Sequence, residues 1–271
     1  MTMQVNGRKN DGLSAAAGSL ESEDRSDFAR ARRETLAYHS EYYRRYRLFD
    51  ESSWLARPDA GLMQLVNDYL MLRREPEEPV RILDLGCGVG RNAVPVAMAL
   101  KEAAVPCLIT AVDVLAESIE LLRENAEKYG VPTSIEAVVA DNDCLVIAER
   151  SFDLIAAISV LEHCAGVERL GQLLGAIAGG LKDGGLARIE MTTDRHVVDL
   201  LSGRPVPTCV ETPLTENAVR QMLAEAFRAE DEYEVLSLEV FPYSEELEKD
   251  GRRVLWQSRQ ISLAVRRRQR Q

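Results

Sequence analysis

The sequence predicts an α/β fold in which helices cover both faces of a mostly parallel sheet. Short apolar runs alternate with amphipathic helical patterns between residues 80 and 191. The first run ends abruptly in a glycine-rich turn, and the last two runs are joined by a polar loop that contains Asp250-Gly251. Apolar strands that alternate with helices indicate a parallel sheet covered on both sides, and the final hairpin adds an antiparallel pair.

Strands and helices follow from the period of the apolar residues. Strands are predicted at 80–85, 108–114, 135–140, 152–160 and 186–191, with a turn at 183–185 before the last of them. Helices are predicted at 91–104, 116–129 and 167–181. A helix capped by Thr215 and running to about residue 228 precedes two strands, at 235–241 and 255–265.

The N-terminal part has a different composition. Residues 1–25 are rich in Gly, Ser, Asn and charge, so we expect a disordered tail. Residues 26–79 are expected to form a helical extension, with helices at 26–49 and 59–73, and residues 80–271 the main domain. Tyr38, Tyr42, Tyr43 and Tyr46 form an aromatic stripe that either packs against the main domain or forms a lid over a ligand.

Composition limits the classes of partner. The 271 residues carry a formal net charge of −11, which disfavours nucleic acid as a partner. No apolar run reaches the roughly 18–20 residues that span a bilayer, and no secretory signal is apparent. The five cysteines are scattered, with no CxxC pair, which predicts reduced thiols, a cytoplasmic location and no bound metal.

The strongest local signal is the glycine-rich turn after the first strand, Gly86-Cys87-Gly88-Val89-Gly90. It differs from the dinucleotide pattern GxGxxG because its third glycine comes one residue early. Asp84, inside the strand, would repel a pyrophosphate but suits a ligand with an ammonium group. An alternative role for Asp84 is to cap the amides of the loop itself.

Acidic residues also follow the next two strands. A carboxylate in the position of Asp113 accepts hydrogen bonds from ribose hydroxyls. Asp141 and Asn142 could contact the exocyclic amine of adenine, although Asp141 could equally be an ordinary turn residue. A ligand that contains a nucleoside, lacks phosphate and carries a positive charge fits the description of S-adenosylmethionine.

These motifs resemble those of class I S-adenosylmethionine-dependent methyltransferases. The resemblance covers residues 80–191 and includes LDLGCGVG, the acid that ends strand two, AD after strand three, and FDLIAAISVLEH on strand four. It implies a Rossmann-like sheet of seven strands whose last strand is inserted antiparallel. The expected cofactor site comprises Asp84, Gly86, Cys87, Gly88, Gly90, Asn92, Asp113, Val114, Asp141, Asn142 and Ser159.

Two narrower resemblances concern the substrate. Gly90-Arg91-Asn92, Val112-Asp113 and the final stretch at 250–265 resemble the tellurite-resistance methyltransferase group. The motif at 159–163, Ser-Val-Leu-Glu-His, resembles the small-molecule methyltransferases of quinone and secondary metabolism. The Asp/Asn-Pro-Pro-aromatic motif of the enzymes that methylate amino groups on DNA bases does not occur at this position.

The candidate catalytic residues are His163, as a base, and Glu162, which could orient another group or hold the cofactor. We therefore expect methylation of a small-molecule acceptor at oxygen or nitrogen, in a pocket shaped by residues 192–213. His163 could instead be structural. Two further functions stay open: methylation of a thiol or a soft metalloid, and a non-catalytic, cofactor-binding regulatory partner. Three cysteines that could hold a metalloid, or could simply be buried, are Cys144, Cys164 and Cys209.

Overall fold

A computed structural model describes residues 17–70, 78–208, 210–228, 232–249 and 251–269. Within these residues, seven strands form one sheet in the order β3-β2-β1-β4-β5-β7-β6. The strands are β1 Val80–Leu85, β2 Cys107–Asp113, β3 Ile135–Val139, β4 Phe152–Ile158, β5 Leu181–Asp199, β6 Tyr233–Lys249 and β7 Arg252–Arg267.

The first five strands are parallel, and β7 lies between β5 and β6 and runs antiparallel to both. This arrangement confirms the predicted Rossmann-like sheet with an antiparallel C-terminal strand. Parallel strands end at one edge of the sheet, so the loops after β1, β2, β3 and β4 meet there, which is where open α/β sheets bind their ligands.

Six α-helices are present in the described residues. They are α1 Ala17–Arg45, α2 Ala60–Leu65, α3 Ala93–Glu102, α4 Ala116–Lys128, α5 Val167–Gly180 and α6 Glu216–Ala226. A π-helical turn, Val66–Leu70, continues α2.

The core lies in two layers on opposite faces of the sheet. Side chains of α2, α3 and α4 share one buried cluster with Ile82, whereas α5 and α6 share the other with Leu83. Successive residues of a strand point to opposite faces, so a run that is apolar throughout must be covered on both sides. The predicted coverage by helices on both faces is confirmed.

The C-terminal strands are longer than their apolar runs. The predicted turn at 183–185 is wrong, because those residues form an irregularity inside β5. Leu181 of β5 pairs with Phe152 of β4, and Leu186 pairs with Leu154. Between these two pairs the chain advances by two residues in β4 and by five in β5, which makes the irregularity. The far part of β5 pairs with β7, whose Trp256 also lies opposite Glu245 of β6. The ends of these strands thus extend past Ile158, the last residue of β4.

The N-terminal helix α1 begins at Ala17, so the predicted start at residue 26 is too late and residues 17–25 are helical. Polar composition suggested disorder there, but extending a helix already formed costs far less than starting one. Residues 1–16 lie outside the described residues. No helix in the described part of the chain has the length and apolar character needed to cross a membrane.

An ion pair joins the N-terminal extension to the sheet. Arg188 of β5 donates to both carboxylate oxygens of Asp59, at 2.7 and 3.0 Å. Asp59 also caps α2 by accepting from the backbone N–H of Leu62 at 2.7 Å, and its own N–H donates to Asn92 at 2.9 Å. Removing one partner of such a buried pair costs about 3–5 kcal/mol, so this contact holds α2 firmly against the domain.

Candidate functional site

The glycine-rich loop connects β1 to α3 at the carboxyl edge of the sheet. Gly86, Gly88 and Gly90 have φ angles of 67°, 51° and 94°, which lie in the left-handed region. At Gly88 a Cβ would lie 2.5 Å from the hydroxyl oxygen of Tyr43. A larger residue there would therefore meet both backbone strain and a neighbouring side chain.

Asp113, at the end of β2, holds the loop in place. One carboxylate oxygen accepts from the N–H of Gly88 and the other from the N–H of Leu115, both at 2.9 Å. Each oxygen keeps a second lone pair that could accept from a ligand hydroxyl. The next residue, Val114, is half-buried at the same edge.

Asp84 lies beneath the loop, with 3% of its surface exposed. Burial, aided by the charge of Asp113, raises the pKa of Asp84 to about 7, although the backbone N–H of Ala93 hydrogen-bonds to it. Its Oδ2 has no hydrogen-bond partner in the described structure. Asp84 thus contacts the start of α3 rather than the amides of residues 86–90, and both its capping of the loop and its contact with an ammonium group stay predictions.

Two other predicted residues of this region are also buried. The thiol of Cys87 is buried, which raises its pKa well above the usual value. The side-chain oxygen of Asn92 accepts from the N–H of Asp59. Asn92 and Asp84 both line a cavity of about 10 Å³ between the sheet and α3.

Asp141 and Asn142 follow β3 in a short turn. Asp141 caps this turn by accepting from the N–H of Asp143 at 3.0 Å. Its other oxygen accepts from Nη2 of Arg32, in α1, at 3.1 Å. The Oδ1 of Asn142 is buried without a hydrogen-bond partner in the described structure.

Ser159 directly follows β4 and has a φ of 53°, which a residue other than glycine rarely adopts. Its N–H donates to the carbonyl of Glu190 at 2.9 Å, while the residue itself is exposed. Such a conformation costs about 1–3 kcal/mol and is typical of functional sites.

Glu162 and His163 occupy the turn Leu161–His163 after β4 but have different partners. Glu162 is buried and accepts from the N–H of Thr192 at 3.3 Å and from Arg195 at 3.2 Å. His163 places its Nδ1 3.2 Å from Oε1 of Glu211, a residue between β5 and α6. The structure therefore directs the carboxylate of Glu162 towards β5 and pairs the imidazole of His163 with a different acid.

Helix α1 crosses the loops at this edge. Arg32 donates to the carbonyl of His163 at 3.0 Å as well as to Asp141. Further along, Ser40 and Arg44 donate to Glu117 at the start of α4, at 2.6 and 3.0 Å. One helix thus contacts segments that follow β2, β3 and β4.

Sequence reasoning missed Arg32, His39 and Glu211 as candidate site residues. The ring of His39 lies edge-on to that of His163, with centroids 6.2 Å apart. Burial and the nearby His163 lower the pKa of His39 to about 4, although Glu211 acts in the opposite direction. Arg32, His39 and Tyr43 are spaced by seven and four residues, which places them on one helix face, and this signal was available in the sequence.

Two of the three cysteines proposed to hold a metalloid lie in the described structure, and they differ in exposure. Cys164 is buried, and this burial, with the nearby Asp143, raises the pKa of its thiol to about 12. Cys144 is exposed, and Cys209 lies outside the described residues. No cluster of three or more His, Cys, Asp or Glu residues suited to a metal ion is found in the part of the chain that the structure describes.

Comparisons with known proteins agree with this geometry. Residues 82–185 match a family described as a methyltransferase domain. The ubiquinone biosynthesis O-methyltransferase of Methylocella silvestris is 35% identical over 111 residues, which cover 41% of this chain and 39% of that protein. Residues 82–185 therefore form a methyltransferase domain, and its motifs resemble those of the class I enzymes that use S-adenosylmethionine. The aligned part spans about two-fifths of that relative.

Solved structures show that the methyltransferase domain has a widely shared fold. A putative methyltransferase from Bacillus halodurans C-125 covers 76% of this chain and 97% of its own, with 15% identity and a TM-score of 0.51. The cyclase SpnF covers 81% of this chain and 84% of its own, with 17% identity and a TM-score of 0.52. At these identities the likeness concerns the fold alone.

The cofactor of this methyltransferase domain is S-adenosylmethionine, and the loop residues fit it. The left-handed glycines, the free lone pairs of Asp113 and the unpartnered oxygen of Asn142 lie along one edge of the sheet. The hydroxyl of Tyr43 lies over Gly88 and Arg32 contacts Asp141, so α1 lies across the same groove.

Proposed function

We propose that this protein transfers the methyl group of S-adenosylmethionine to an oxygen atom of a small-molecule acceptor. The observation that carries the proposal is the position of His163, whose imidazole pairs with Glu211 in the turn directly after β4. Arg32 connects this turn to Asp141, in the loop after β3. A basic group and the cofactor loops thus share one edge of the sheet.

We propose that successive chemical parts of the cofactor contact successive loops at the carboxyl edge of the sheet. We assign its amino acid part to the glycine loop, its ribose to Asp113 and its adenine to Asp141 and Asn142. The unpartnered oxygen of Asn142 suits the exocyclic amine of adenine. The other residues that we place in or beside this site are Asp84, Cys87, Asn92, Val114 and Ser159.

For methyl transfer from S-adenosylmethionine, the protein needs to align the reacting atoms more than it needs to activate them. S-adenosylmethionine supplies a methyl group bonded to a sulfonium, whose leaving group is neutral. The protein must hold the acceptor oxygen in line with that bond and exclude water. His163 would remove the hydroxyl proton as the new bond forms, a contribution of about 10²–10⁴-fold in rate. Glu162, paired with Arg195, would fix the turn that carries His163.

Aromatic side chains near the site favour a planar acceptor. Trp54 stacks on Tyr42, with ring centroids 4.9 Å apart, and both Trp54 and Tyr38 keep exposed surface. Tyr38 lies beside Tyr42, with ring centroids 5.8 Å apart. The named activity of the relative, O-methylation in ubiquinone biosynthesis, also supports oxygen as the accepting atom.

We also propose that α1 acts as a lid rather than as packing alone. Its contacts with the site are a hydroxyl over Gly88 and polar bonds through Arg32, Ser40 and Arg44. Most of these contacts are polar and can exchange with water, but opening the helix would also expose the small buried cluster of Tyr43, Leu55 and Val89. We also propose that the helical extension ends and the main domain begins between residues 79 and 80, and that the protein is cytoplasmic.

The alternative acceptors receive less support. A soft metalloid needs thiolates, and the thiol of Cys164, with its pKa of about 12, stays protonated. A non-catalytic role would not require a histidine–carboxylate pair beside the cofactor loops. Because a cyclase shares the fold, turnover must be measured and cannot be read from the architecture.

The test uses S-adenosylmethionine labelled in its methyl group and a panel of small acceptors that includes phenols, catechols, amines, thiols and metalloid oxyanions. We expect label in the organic product with phenols or catechols. Transfer only to thiols or metalloids, or binding of cofactor without transfer to any acceptor, would overturn the proposal. A parallel reaction with His163→Ala shows whether the product depends on this site.

A further inference from the structure

A buried carboxylate that lies far from the glycine loop in sequence contacts the ring of His163. Glu211 belongs to the segment between β5 and α6, and only 1% of its side chain is exposed. Its Oε1 lies 3.2 Å from Nδ1 of His163, and Thr35, in α1, lies near the carboxylate. Neither carboxylate oxygen has any other hydrogen-bond partner in the described structure. Burying a carboxylate is costly unless its partners compensate, so this placement calls for a reason.

Other charged groups around His163 have different roles. Arg32 of α1 donates to the backbone carbonyl of His163 and not to its ring. Glu162, from the same turn, is paired with Arg195 of β5. Asp143, after β3, accepts from the N–H of Ala165. Among the contacts that the structure describes, Glu211 is the carboxylate that faces the imidazole ring.

His39 is the remaining titratable group at this ring. It approaches from α1 with its ring edge-on to that of His163. Burial and the neighbouring His163 lower the pKa of His39 to about 4, so His39 is neutral at physiological pH. Burial acts to raise the pKa of Glu211, but His163 and Thr35 outweigh it and hold that pKa at about 2, so Glu211 is ionised.

We propose that Glu211 is a positioning residue, which holds the imidazole of His163 with Nδ1 protonated and Nε2 free to accept a proton. A carboxylate at one ring nitrogen fixes the tautomer and stabilises the imidazolium that forms. The inference rests on the proposed function, in which His163 is the base.

The acceptor hydroxyl gives its proton to Nε2 of His163 while its oxygen forms a bond to the methyl carbon. The bond between that carbon and sulfur breaks, and its electron pair stays on sulfur. The products are the methyl ether, neutral S-adenosylhomocysteine and an imidazolium paired with Glu211, whose carboxylate does not change its charge.

The test compares Glu211→Gln and Glu211→Asp with Glu216→Gln. Glu216 is a matched control because it is a nearby glutamate whose described side-chain partners are Arg220 and Arg259. We expect Glu211→Gln to lower kcat at least tenfold with an unchanged Kd for S-adenosylmethionine, and the acid limb of the rate profile to move to lower pH. Glu211→Asp should recover part of the rate, and Glu216→Gln should behave as the parent.

A second measurement does not depend on activity. Nitrogen-15 NMR of the imidazole should show His163 protonated at Nδ1 in the parent and a change in this tautomer in Glu211→Gln. The inference would be overturned if Glu211→Gln changed neither the tautomer nor kcat. It would also be overturned if Glu211→Gln lowered the rate of His163→Ala by the same factor as it lowers the rate of the parent. If His163→Ala keeps full turnover while the tautomer still depends on Glu211, then the proposed base is wrong and the positioning contact is real.

Discussion

The hydroxyl oxygen of Tyr43 lies directly over Gly88, 2.5 Å from the point where a Cβ would stand. Tyr43 is buried, and burial together with the charge of Asp113 raises its pKa, so the hydroxyl keeps its proton. An N-terminal helix and the glycine loop are therefore in direct contact. We infer that the state of α1 and the occupancy of the cofactor groove depend on one another.

The first prediction concerns α1 as a lid. Deleting residues 1–50 should leave the domain folded, because the ion pair between Asp59 and Arg188 is retained. The KM for the acceptor should rise several-fold because the site is then open to water. Steady-state kinetics and a thermal melt on the same preparation check this. A lower Tm with unchanged kinetics per folded molecule would show that α1 only packs.

A point variant tests the same helix without a deletion. Arg32→Ala should raise the KM for the acceptor, because it removes the bonds to His163 and Asp141 together. Arg33→Ala is the matched control, since Arg33 is the adjacent arginine and is exposed. Equal effects of the two substitutions would contradict the proposed role of Arg32.

The second prediction concerns Asp113. Hydrogen bonds from two ribose hydroxyls to a carboxylate are worth about 1.5–3 kcal/mol each, so Asp113→Ala should weaken cofactor binding by about a hundredfold or more. Asp199→Ala is the control, because Asp199 also accepts two backbone N–H groups, from Leu201 and Ser202. Titration calorimetry measures the Kd for S-adenosylmethionine in each variant. If Asp113→Ala weakens binding less than about threefold, another residue holds the ribose.

The third prediction is a pH dependence of stability at Asp84. Its pKa is raised from 3.8 to about 7 in the folded chain, so the folded state keeps this proton to a higher pH than the unfolded state. Stability from this group is therefore fully present below about pH 4 and is lost as the pH rises towards 7. Asp84→Asn removes the ionisation, so its Tm relative to the parent should be higher at pH 8 than at pH 4.

Thermal melts across this pH range check the prediction for Asp84, and a difference in Tm that does not change with pH would contradict it. The same variant separates the two roles of the residue. If Asp84 only supports the loop, Asp84→Asn should bind S-adenosylmethionine normally. A loss of binding of tenfold or more would assign Asp84 to the ammonium group of the cofactor.

The fourth prediction concerns His163 itself. His163→Ala should bind cofactor normally but lose at least tenfold in turnover, and the activity of the parent should rise with pH as an imidazole loses its proton. His163→Gln should not restore the rate, because an amide cannot accept the proton. Unchanged turnover in both variants would show a structural histidine and an acceptor that arrives already deprotonated.

Local patterns predicted most of the sheet. The bounds of β1 agree with the predicted 80–85, because this strand is apolar on both faces and a glycine follows it directly. Helix α6 follows its cap, Thr215, whose side chain accepts from the N–H of Ala218. The end of β5 was missed because its polar residues are stabilised by pairing with β7, and such pairing leaves no apolar run in the sequence.

The site was predictable where it depends on neighbours in sequence. Gly88 and Asp113 were identified because a turn from strand to helix and a strand end have local signatures. The contact of Glu211 with His163 joins two distant segments, and Arg32 reaches His163 across 131 positions of the chain. No periodicity encodes such contacts, since they depend on how α1 and the segment before α6 pack against the finished sheet.

A calorimetric titration of the parent protein and of Gly88→Val with S-adenosylmethionine tests whether the glycine loop holds the cofactor. We expect the parent to bind one equivalent, and Gly88→Val to stay folded but bind at least tenfold more weakly. Gly175→Ala, where an added Cβ would meet no atom within 4 Å, should bind as the parent does. Normal affinity in Gly88→Val, or no binding by the parent, would contradict the assignment of the glycine loop as the cofactor site.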